Sequence, residues 1–211
     1  MQSEKFARAN DRGIAIGPIL FIIAILAILA TAIAAGSSTF ATNSSQETNR
    51  TNASAMIQIG QNLKMGVDRL IALGTTPGSV DLNASNTSAN NALFSPIGGG
   101  LIPPAVSLSS NPASDTWIFT WAAIPNIGTV AAGRIALLKV NQGVCDQINV
   151  QAANLSTTPN GVALGNFNNT TNLTTTNWPT GAGGLAGKMV GCFNNTTGNI
   201  GYFFYQVLNV Q

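Results

Sequence analysis

The sequence predicts an α+β fold, in which a long N-terminal helix packs on a small antiparallel β-sheet head with one disulfide. Ile14–Ala35 is uncharged and almost wholly apolar, and apolar side chains recur at helical spacing between residues 56 and 73. Aromatic and β-branched runs begin at Thr116. The predicted parts, in chain order, are a leader (1–13), a transmembrane helix (14–35), an amphipathic continuation (36–74) and a β-rich globular head (75–211).

The apolar run Ile14–Ala35 is long enough to cross a bilayer. As a helix its 22 residues would extend about 33 Å, against a hydrocarbon core of about 30 Å. A helix also satisfies its own backbone hydrogen bonds, as hydrocarbon requires. The alternative is a buried core helix, but such helices normally have one apolar face, whereas this run is apolar throughout.

Charges in the leader predict the orientation of this helix. Lys5, Arg8 and Arg12 outnumber Glu4 and Asp11 before the apolar run. Positive charge beside a membrane span favours the cytoplasmic side. We therefore expect a single-pass protein of the inner (cytoplasmic) membrane, with its N-terminus inside and its head exported.

A secretory signal peptide is an alternative interpretation of the same segment. Signal peptides have an apolar region of about 7–15 residues that is followed by a small-residue cleavage site. The run here is longer, although Ala34-Ala35-Gly36 is small enough for cleavage.

The junction Arg12-Gly13-Ile14 resembles the class III leader of type IV pilins and pseudopilins. In that family a basic leader ends in Gly and a hydrophobic helix follows without a polar gap. The resemblance implies that a prepilin peptidase cuts between Gly13 and Ile14 on the cytoplasmic face. It also implies that Ile14–Ala35 stays on the mature subunit and packs against copies of itself or other pilins, in a periplasmic or extracellular filament.

The chain departs from the family pattern at two positions. Ile14 stands where the family usually has Phe, and Pro18 stands where it usually has Glu, the fifth mature residue. That Glu is thought to pair with the N-terminal amine of a neighbouring subunit. Pro18 removes this pairing and the cost of a charge in hydrocarbon, and proline is tolerated in a first helical turn.

The polar residues 36–55 allow two interpretations. They are small and hydroxyl-rich and would suit a flexible linker. The stretch that follows favours a helix, because its apolar residues are spaced by three or four positions. These residues are Met56, Ile59, Leu63, Val67, Leu70 and Leu73. We therefore predict one helix from Ile14 to about Leu73, which ends at Gly74 before Pro77.

Strand signals in the head begin only after a long region rich in turn residues. Residues 75–115, which include Gly98-Gly99-Gly100, are predicted to be mostly loop. Residues 141–150 could start a short helix, and 151–187 is a low-complexity stretch rich in Asn, Thr and Gly. The predicted strands are 116–124 and 133–140, which form an antiparallel hairpin, and then 188–195 and 201–210. The last strand is apolar on both faces.

The two cysteines, Cys145 and Cys192, are predicted to form a disulfide. An even number of cysteines in an exported head indicates a disulfide. This bond would close a loop of 46 intervening residues, which in the entropic model contributes about 3–4 kcal/mol to the free energy of unfolding. A reactive thiol is the alternative. Neither cysteine has a neighbouring His or basic cluster that would lower the pKa of its thiol.

Composition argues against catalysis and against nucleic-acid binding. The chain has no His and a net charge of +2, and it contains no phosphate-binding glycine motif. The acids beyond the leader are scattered: Glu47, Asp68, Asp81, Asp115 and Asp146. We expect no enzyme activity, no metal, no cofactor and no nucleic-acid partner; an exported hydrolase would need two of these acids to converge.

Asn-X-Ser/Thr sequons are dense in this chain. They begin at Asn43, Asn49, Asn52, Asn83, Asn86, Asn154, Asn168, Asn169, Asn172, Asn194 and Asn195. An Asn- and Thr-rich composition accounts for many such triplets, and a glycosylated surface is the other interpretation.

The sequence thus predicts a structural subunit of a type IV pilus-like or pseudopilus filament. Its expected partners are other pilin subunits, the prepilin peptidase and the lipid bilayer. The alternative is a single-pass, membrane-anchored, exported binding or adhesion protein that does not polymerise.

Overall fold

A computed structural model describes residues 16–128, 133–159, 172–173, 178 and 184–210. The chain divides into two compact units, Met1–Ser45 and Gln46–Gln211. The helices are α1 (Ile16–Ala72) and α2 (Gln142–Ile148), and the strands are β1 (Ile118–Ala122), β2 (Gly133–Val140), β3 (Asn172–Leu173), β4 (Val190–Asn195) and β5 (Gly201–Asn209). A 3₁₀ turn at Pro77–Ser79 and a π-helical turn at Asn149–Ala153 complete the regular structure of the described residues.

Helix α1 confirms the prediction of one long helix. It begins at Ile16 and continues through the polar residues 36–55, so the linker interpretation of that stretch is wrong. Gly74 terminates it with a φ of 96°. The Thr75 N–H donates to the Leu70 carbonyl at 3.0 Å, and the Gly74 N–H donates to the Ile71 carbonyl at 3.0 Å. This double closure is a Schellman motif, which glycine favours because it lacks Cβ.

The membrane-spanning part of the prediction has no counterpart in the structure. Among the described residues, no helix is both long and apolar enough to cross a membrane. The predicted span Ile14–Ala35 extends at both ends beyond the described side chains of Gly17–Ile33. The span therefore stays a prediction from the sequence.

The C-terminal part of α1 packs on the sheet through the apolar residues that recur at helical spacing from Met56 to Leu70, which we call the stripe. Met56, Leu63, Val67 and Leu70 are at most 2% exposed and join one core cluster with strand residues. Leu73 does not belong to the stripe and is 64% exposed, because the Schellman turn has already ended the helix.

Gly60 lets helix and sheet approach each other closely. A Cβ at this position would lie 2.8 Å from Cζ of Phe204 and 2.9 Å from Oε1 of Gln206, both on β5. The absence of a side chain on Gly60 therefore sets how closely α1 packs on the central strands.

The sheet has the strand order β3-β1-β2-β5-β4. Strands β1, β2, β5 and β4 are antiparallel neighbours, and the predicted hairpin pairs Ile118 with Leu137 and Ala122 with Gly133. The prediction of an antiparallel sheet is confirmed for these four strands, and a fifth strand, β3, pairs with β1 in parallel. This two-residue strand comes from the low-complexity stretch, where no strand was predicted.

The sheet is buried on both faces, as the last strand predicted. One face carries the cluster that contains α1, and the other carries a second cluster built on Leu137, Phe193 and Tyr205. Trp178, from the low-complexity stretch, is only 2% exposed in that second cluster. Its ring centroid lies 4.9 Å from that of Tyr205 and 5.5 Å from that of Phe193, both in edge-on geometry.

Residues 75–115 are mostly irregular, as predicted, and they supply part of the core. Leu82, Leu93 and Phe94 are buried in the cluster that contains α1. The three glycines 98–100 belong to this loop, where a Cβ on Gly99 would lie 2.4 Å from the Leu93 carbonyl oxygen. Glycine at this position is therefore a steric requirement of the loop.

We expect Tyr205 to make stability depend on pH in the alkaline range. Its hydroxyl donates to the Lys188 carbonyl at 2.9 Å, and burial raises the pKa of Tyr205 above its ordinary value of 10.0. Below pH 10 the phenol of Tyr205 is neutral in both the folded and the unfolded state. Above pH 10 the phenol ionises only in the unfolded chain, so the free energy of unfolding should fall by about 1.4 kcal/mol per pH unit.

Denaturant titrations of the detergent-solubilised protein between pH 8 and 11 measure this effect. Tyr205→Phe keeps the ring but removes the ionisable group, so its stability should decline less steeply above pH 10. Identical slopes for the variant and the unchanged protein would contradict the assignment.

Candidate functional site

An extended apolar surface in the described part of the chain lies on α1 between Gly17 and Ile33, a segment that we call the apolar helix. It carries no charge. Its ten large apolar side chains are 41–71% exposed: Ile19, Leu20, Phe21, Ile22, Ile23, Ile25, Leu26, Ile28, Leu29 and Ile33. Residues 20–23 are consecutive, and each is rotated by about 100° from the last, so every face of the helix is apolar.

Beyond its first turn, the apolar helix satisfies its polar groups within the helix. Thr31 carries its one side-chain hydroxyl, which donates to the Ile28 carbonyl at 2.8 Å. Pro18 lies in the first turn of α1, where its missing N–H leaves no helical hydrogen bond unmade. The segment thus presents apolar atoms and a closed backbone, which suits a lipid or protein environment.

The predicted leader cleavage site, Gly13 and Ile14, lies outside the described residues. Cleavage between them stays a prediction from the sequence. The apolar helix begins three residues beyond Ile14.

The predicted disulfide between Cys145 and Cys192 is confirmed. It joins α2 to β4 with a Cα–Cα distance of 5.3 Å, and both cysteines are fully buried. The bond lies in the core cluster that also contains the stripe of α1. It thus connects the two ends of the low-complexity stretch to the part of the head that α1 covers.

Asn149 supports the disulfide in a way that the sequence did not reveal. Its side-chain amide donates to the Cys192 carbonyl at 2.8 Å, and its Oδ1 accepts from the Cys192 N–H at 2.8 Å. Asn149 thereby replaces a missing neighbouring strand at the edge of β4. Its position four residues after Cys145, on the same helical face, was the available signal.

A groove of about 360 Å³ lies on the head beside the C-terminal part of α1. Its apolar walls include Ile59, Leu63 and Leu101. Met65 and Ile102 line the same groove and are 61% and 88% exposed. This groove is large enough to hold one or two apolar side chains of another molecule.

The acids of the head form local structural contacts. Lys64 donates to Asp68 at 2.6 Å across one turn of α1, and Asp115 accepts from the Asn111 N–H at 2.7 Å. Asp146 accepts a hydrogen bond from the Thr158 hydroxyl. Among the described residues, no three His, Cys, Asp or Glu side chains lie close enough to hold a metal ion.

Arg134 has a perturbed pKa at the start of β2. Burial lowers the pKa of its guanidinium, and the charge of Asp81 acts in the opposite direction. Its guanidinium carbon lies 4.0 Å from the centroid of the Trp121 ring, a cation–π contact. These contacts place Arg134 in a structural role at the start of β2.

Comparisons with protein-family models, with curated proteins and with solved structures found no match.

Proposed function

We propose that the chain is a structural subunit of a type IV pilus-like or pseudopilus filament and assembles through Ile14–Ala35. The observation that carries this proposal is the apolar helix, which is exposed on every face and is continuous with a helix that carries a folded head. Such a segment needs an apolar partner all around it. A bilayer before assembly and a bundle of identical helices after assembly both provide one.

Covering the exposed side chains of the apolar helix stabilises the subunit in lipid or in a bundle. Fully burying a large aliphatic or aromatic side chain contributes about 1.5–3 kcal/mol. The ten side chains of the apolar helix already lose part of their surface to the helix itself. Covering the remainder would contribute on the order of 10 kcal/mol, which is ample to hold a subunit in lipid or in a helical bundle.

The proposed pathway begins in the membrane. The basic leader keeps the N-terminus on the cytoplasmic side of the inner membrane while the head is exported. A prepilin peptidase removes residues 1–13 by cutting between Gly13 and Ile14. The mature helix then moves from lipid into the filament core, which lies in the periplasm or outside the cell. The disulfide-bonded head faces the exterior, where disulfides persist.

The second candidate is a membrane-anchored binding or adhesion protein that does not polymerise. Pro18 favours it, because this residue cannot form the ion pair that Glu is thought to provide in typical pilins. The groove at Met65 and Ile102 also offers a contact surface that needs no filament.

A charge in the middle of the apolar helix should separate the two candidates. Ile25→Glu places a carboxylate at a position that is 41% exposed in the single chain. A single charge at the centre of a span costs about 3 kcal/mol for insertion, which the other apolar residues can offset. In a filament every subunit would bury that charge, at a cost of several kcal/mol each.

We therefore expect Ile25→Glu to remain in the membrane fraction but to disappear from sheared filaments. Gln61→Glu adds the same charge to an exposed position of α1 and serves as the matched control, with filament yield unchanged. If the unchanged protein forms no sheared filaments, or if Ile25→Glu forms them at the normal yield, the filament proposal fails.

A further inference from the structure

The sequons that the structure describes are not equivalent. Two of them, at Asn83 and Asn154, combine an exposed asparagine, a loop backbone and a side-chain amide nitrogen without a hydrogen-bond partner in the described part of the chain. We propose that Asn83 and Asn154 are N-glycosylation acceptors, which take a saccharide from a lipid-linked donor. The inference rests on the proposed function, because the head must be exported to meet such a donor.

Asn83 lies in the irregular segment that follows the Pro77–Ser79 turn. Its side-chain Oδ1 accepts from the Ser85 N–H at 3.0 Å, and its own N–H donates to Asp81 at 2.8 Å. These two hydrogen bonds occupy the backbone N–H and the side-chain Oδ1 of Asn83. They leave Nδ2, the atom that would receive the sugar, facing solvent on an exposed side chain.

Asn154 ends the π-helical turn Asn149–Ala153 in a left-handed conformation, with φ 54°. Asn tolerates this conformation better than most residues. Both Asn154 and Ser156, the third residue of its sequon, are exposed. A saccharide on Nδ2 would extend into solvent without displacing a contact that the structure shows.

The other described sequons lack at least one of these properties. Asn86 donates its Nδ2 to Asp81 at 2.6 Å, and Asn195 is fully buried, with Nδ2 donating to the carbonyls of Thr197 and Asn199 at 2.8 and 2.7 Å. Glycosylation of Asn195 would break two partly buried hydrogen bonds and force a large polar group into the fold. The remaining asparagines with described side chains lie within regular elements: Asn49 and Asn52 in α1, and Asn194 in β4.

The fold therefore selects among sequons that composition alone makes numerous. A helix or strand commits the acceptor's backbone to regular hydrogen bonds, so the triplet cannot bend into an active site without unfolding. The loops at Asn83 and Asn154 carry no such restriction. Neutral, bulky saccharides would also solubilise a head whose chain carries a net charge of only +2.

The transfer requires a donor and an enzyme that other components of the membrane supply. The donor is a saccharide linked through diphosphate to a polyprenyl lipid, and a membrane oligosaccharyltransferase catalyses the reaction. The Asn Nδ2 attacks the anomeric carbon as the bond from that carbon to the diphosphate oxygen breaks. Nδ2 loses one proton to a base of the enzyme, the lipid diphosphate leaves with the electron pair, and no atom changes oxidation state.

Glycopeptide mass spectrometry of the full-length chain, purified from the cells that make it, tests the proposal. We expect one saccharide mass on each of the peptides that contain Asn83 and Asn154. Asn83→Gln and Asn154→Gln should each remove one saccharide from the intact mass, and the double variant should remove both. Ser85→Ala should abolish modification of Asn83, whereas Ser85→Thr should preserve it. Asn86→Gln is the matched control and should leave the mass of the saccharides unchanged.

Protease accessibility of the head on intact spheroplasts separates the two ways in which the inference can fail. If the head is accessible and both peptides carry only their unmodified mass, the glycosylation proposal is overturned while the proposed function stands. If saccharide is found on Asn86 or Asn195 instead, the structural selection is overturned. If the head is not exported, the proposed function and this inference fail together.

Discussion

Trp178→Ala should destabilise the head by about 3–5 kcal/mol, the usual cost of removing a large buried aromatic ring. Trp178 is 2% exposed and packs edge-on against Tyr205 and Phe193. Among the described residues, none of α1 belongs to the cluster around Trp178, so α1 does not line the space that the ring would leave. Native domains have a total stability of about 5–15 kcal/mol, so the loss would remove a large share of it.

Chemical denaturation of the detergent-solubilised protein, followed by circular dichroism, measures this effect. Trp178→Phe keeps an aromatic ring and should therefore lose clearly less stability than Trp178→Ala. Trp121→Ala is the matched control, because Trp121 is only partly buried and lies against Arg134 at the sheet margin. Equal losses for Trp178→Ala and Trp121→Ala would contradict the central position that we assign to Trp178.

Replacing both Cys145 and Cys192 by alanine should lower stability by about 3–4 kcal/mol in the entropic model, because the bond closes a long loop. The residues are 47 positions apart in the sequence, and the loop contains the low-complexity stretch 151–187. Without the bond, the unfolded chain regains the freedom of that loop. The hydrogen bonds of Asn149 to Cys192 would then hold α2 to β4 without covalent help.

Reduction of the unchanged protein provides the control for this prediction. Under strong reductant its denaturation midpoint should fall towards that of the double alanine variant, which itself should not respond to reductant. A double variant that is as stable as the oxidised protein would show that the disulfide contributes nothing to the fold.

Much of the fold could be predicted because its signals are local and periodic. The stripe from Met56 to Leu70 has helical spacing, so it predicted both the helix and its buried face. The largely continuous apolar run of β5, with apolar residues on both faces, likewise predicted a strand with two covered faces. Gly74 predicted the helix end, and the same turn explains why Leu73, although correctly spaced, is exposed.

The missed features depend on contacts between distant parts of the chain. Trp178 and β3 lie in a stretch whose composition resembles a loop. Trp178 joins the core by packing on one face of the sheet, and β3 joins it by pairing with β1. In the sequence Asn149 is an ordinary polar residue, and only the fold brings its side chain into hydrogen bonds with the backbone of Cys192. The steric roles of Gly60 and Gly99 also appear only when helix, sheet and loop are packed together.

The intact mass of the protein recovered from membranes and from sheared filaments tests the central claim most directly. The account predicts that filament protein begins at Ile14 and lacks the mass of residues 1–13. It also predicts that Gly13→Leu keeps its full length and stays in the membrane fraction without entering filaments. A Cβ at residue 13 hinders the close approach of the peptidase, and a retained leader would bring Lys5, Arg8 and Arg12 into an apolar bundle. If both proteins have the full-length mass and the same surface yield, the filament account is contradicted and the simple membrane anchor replaces it.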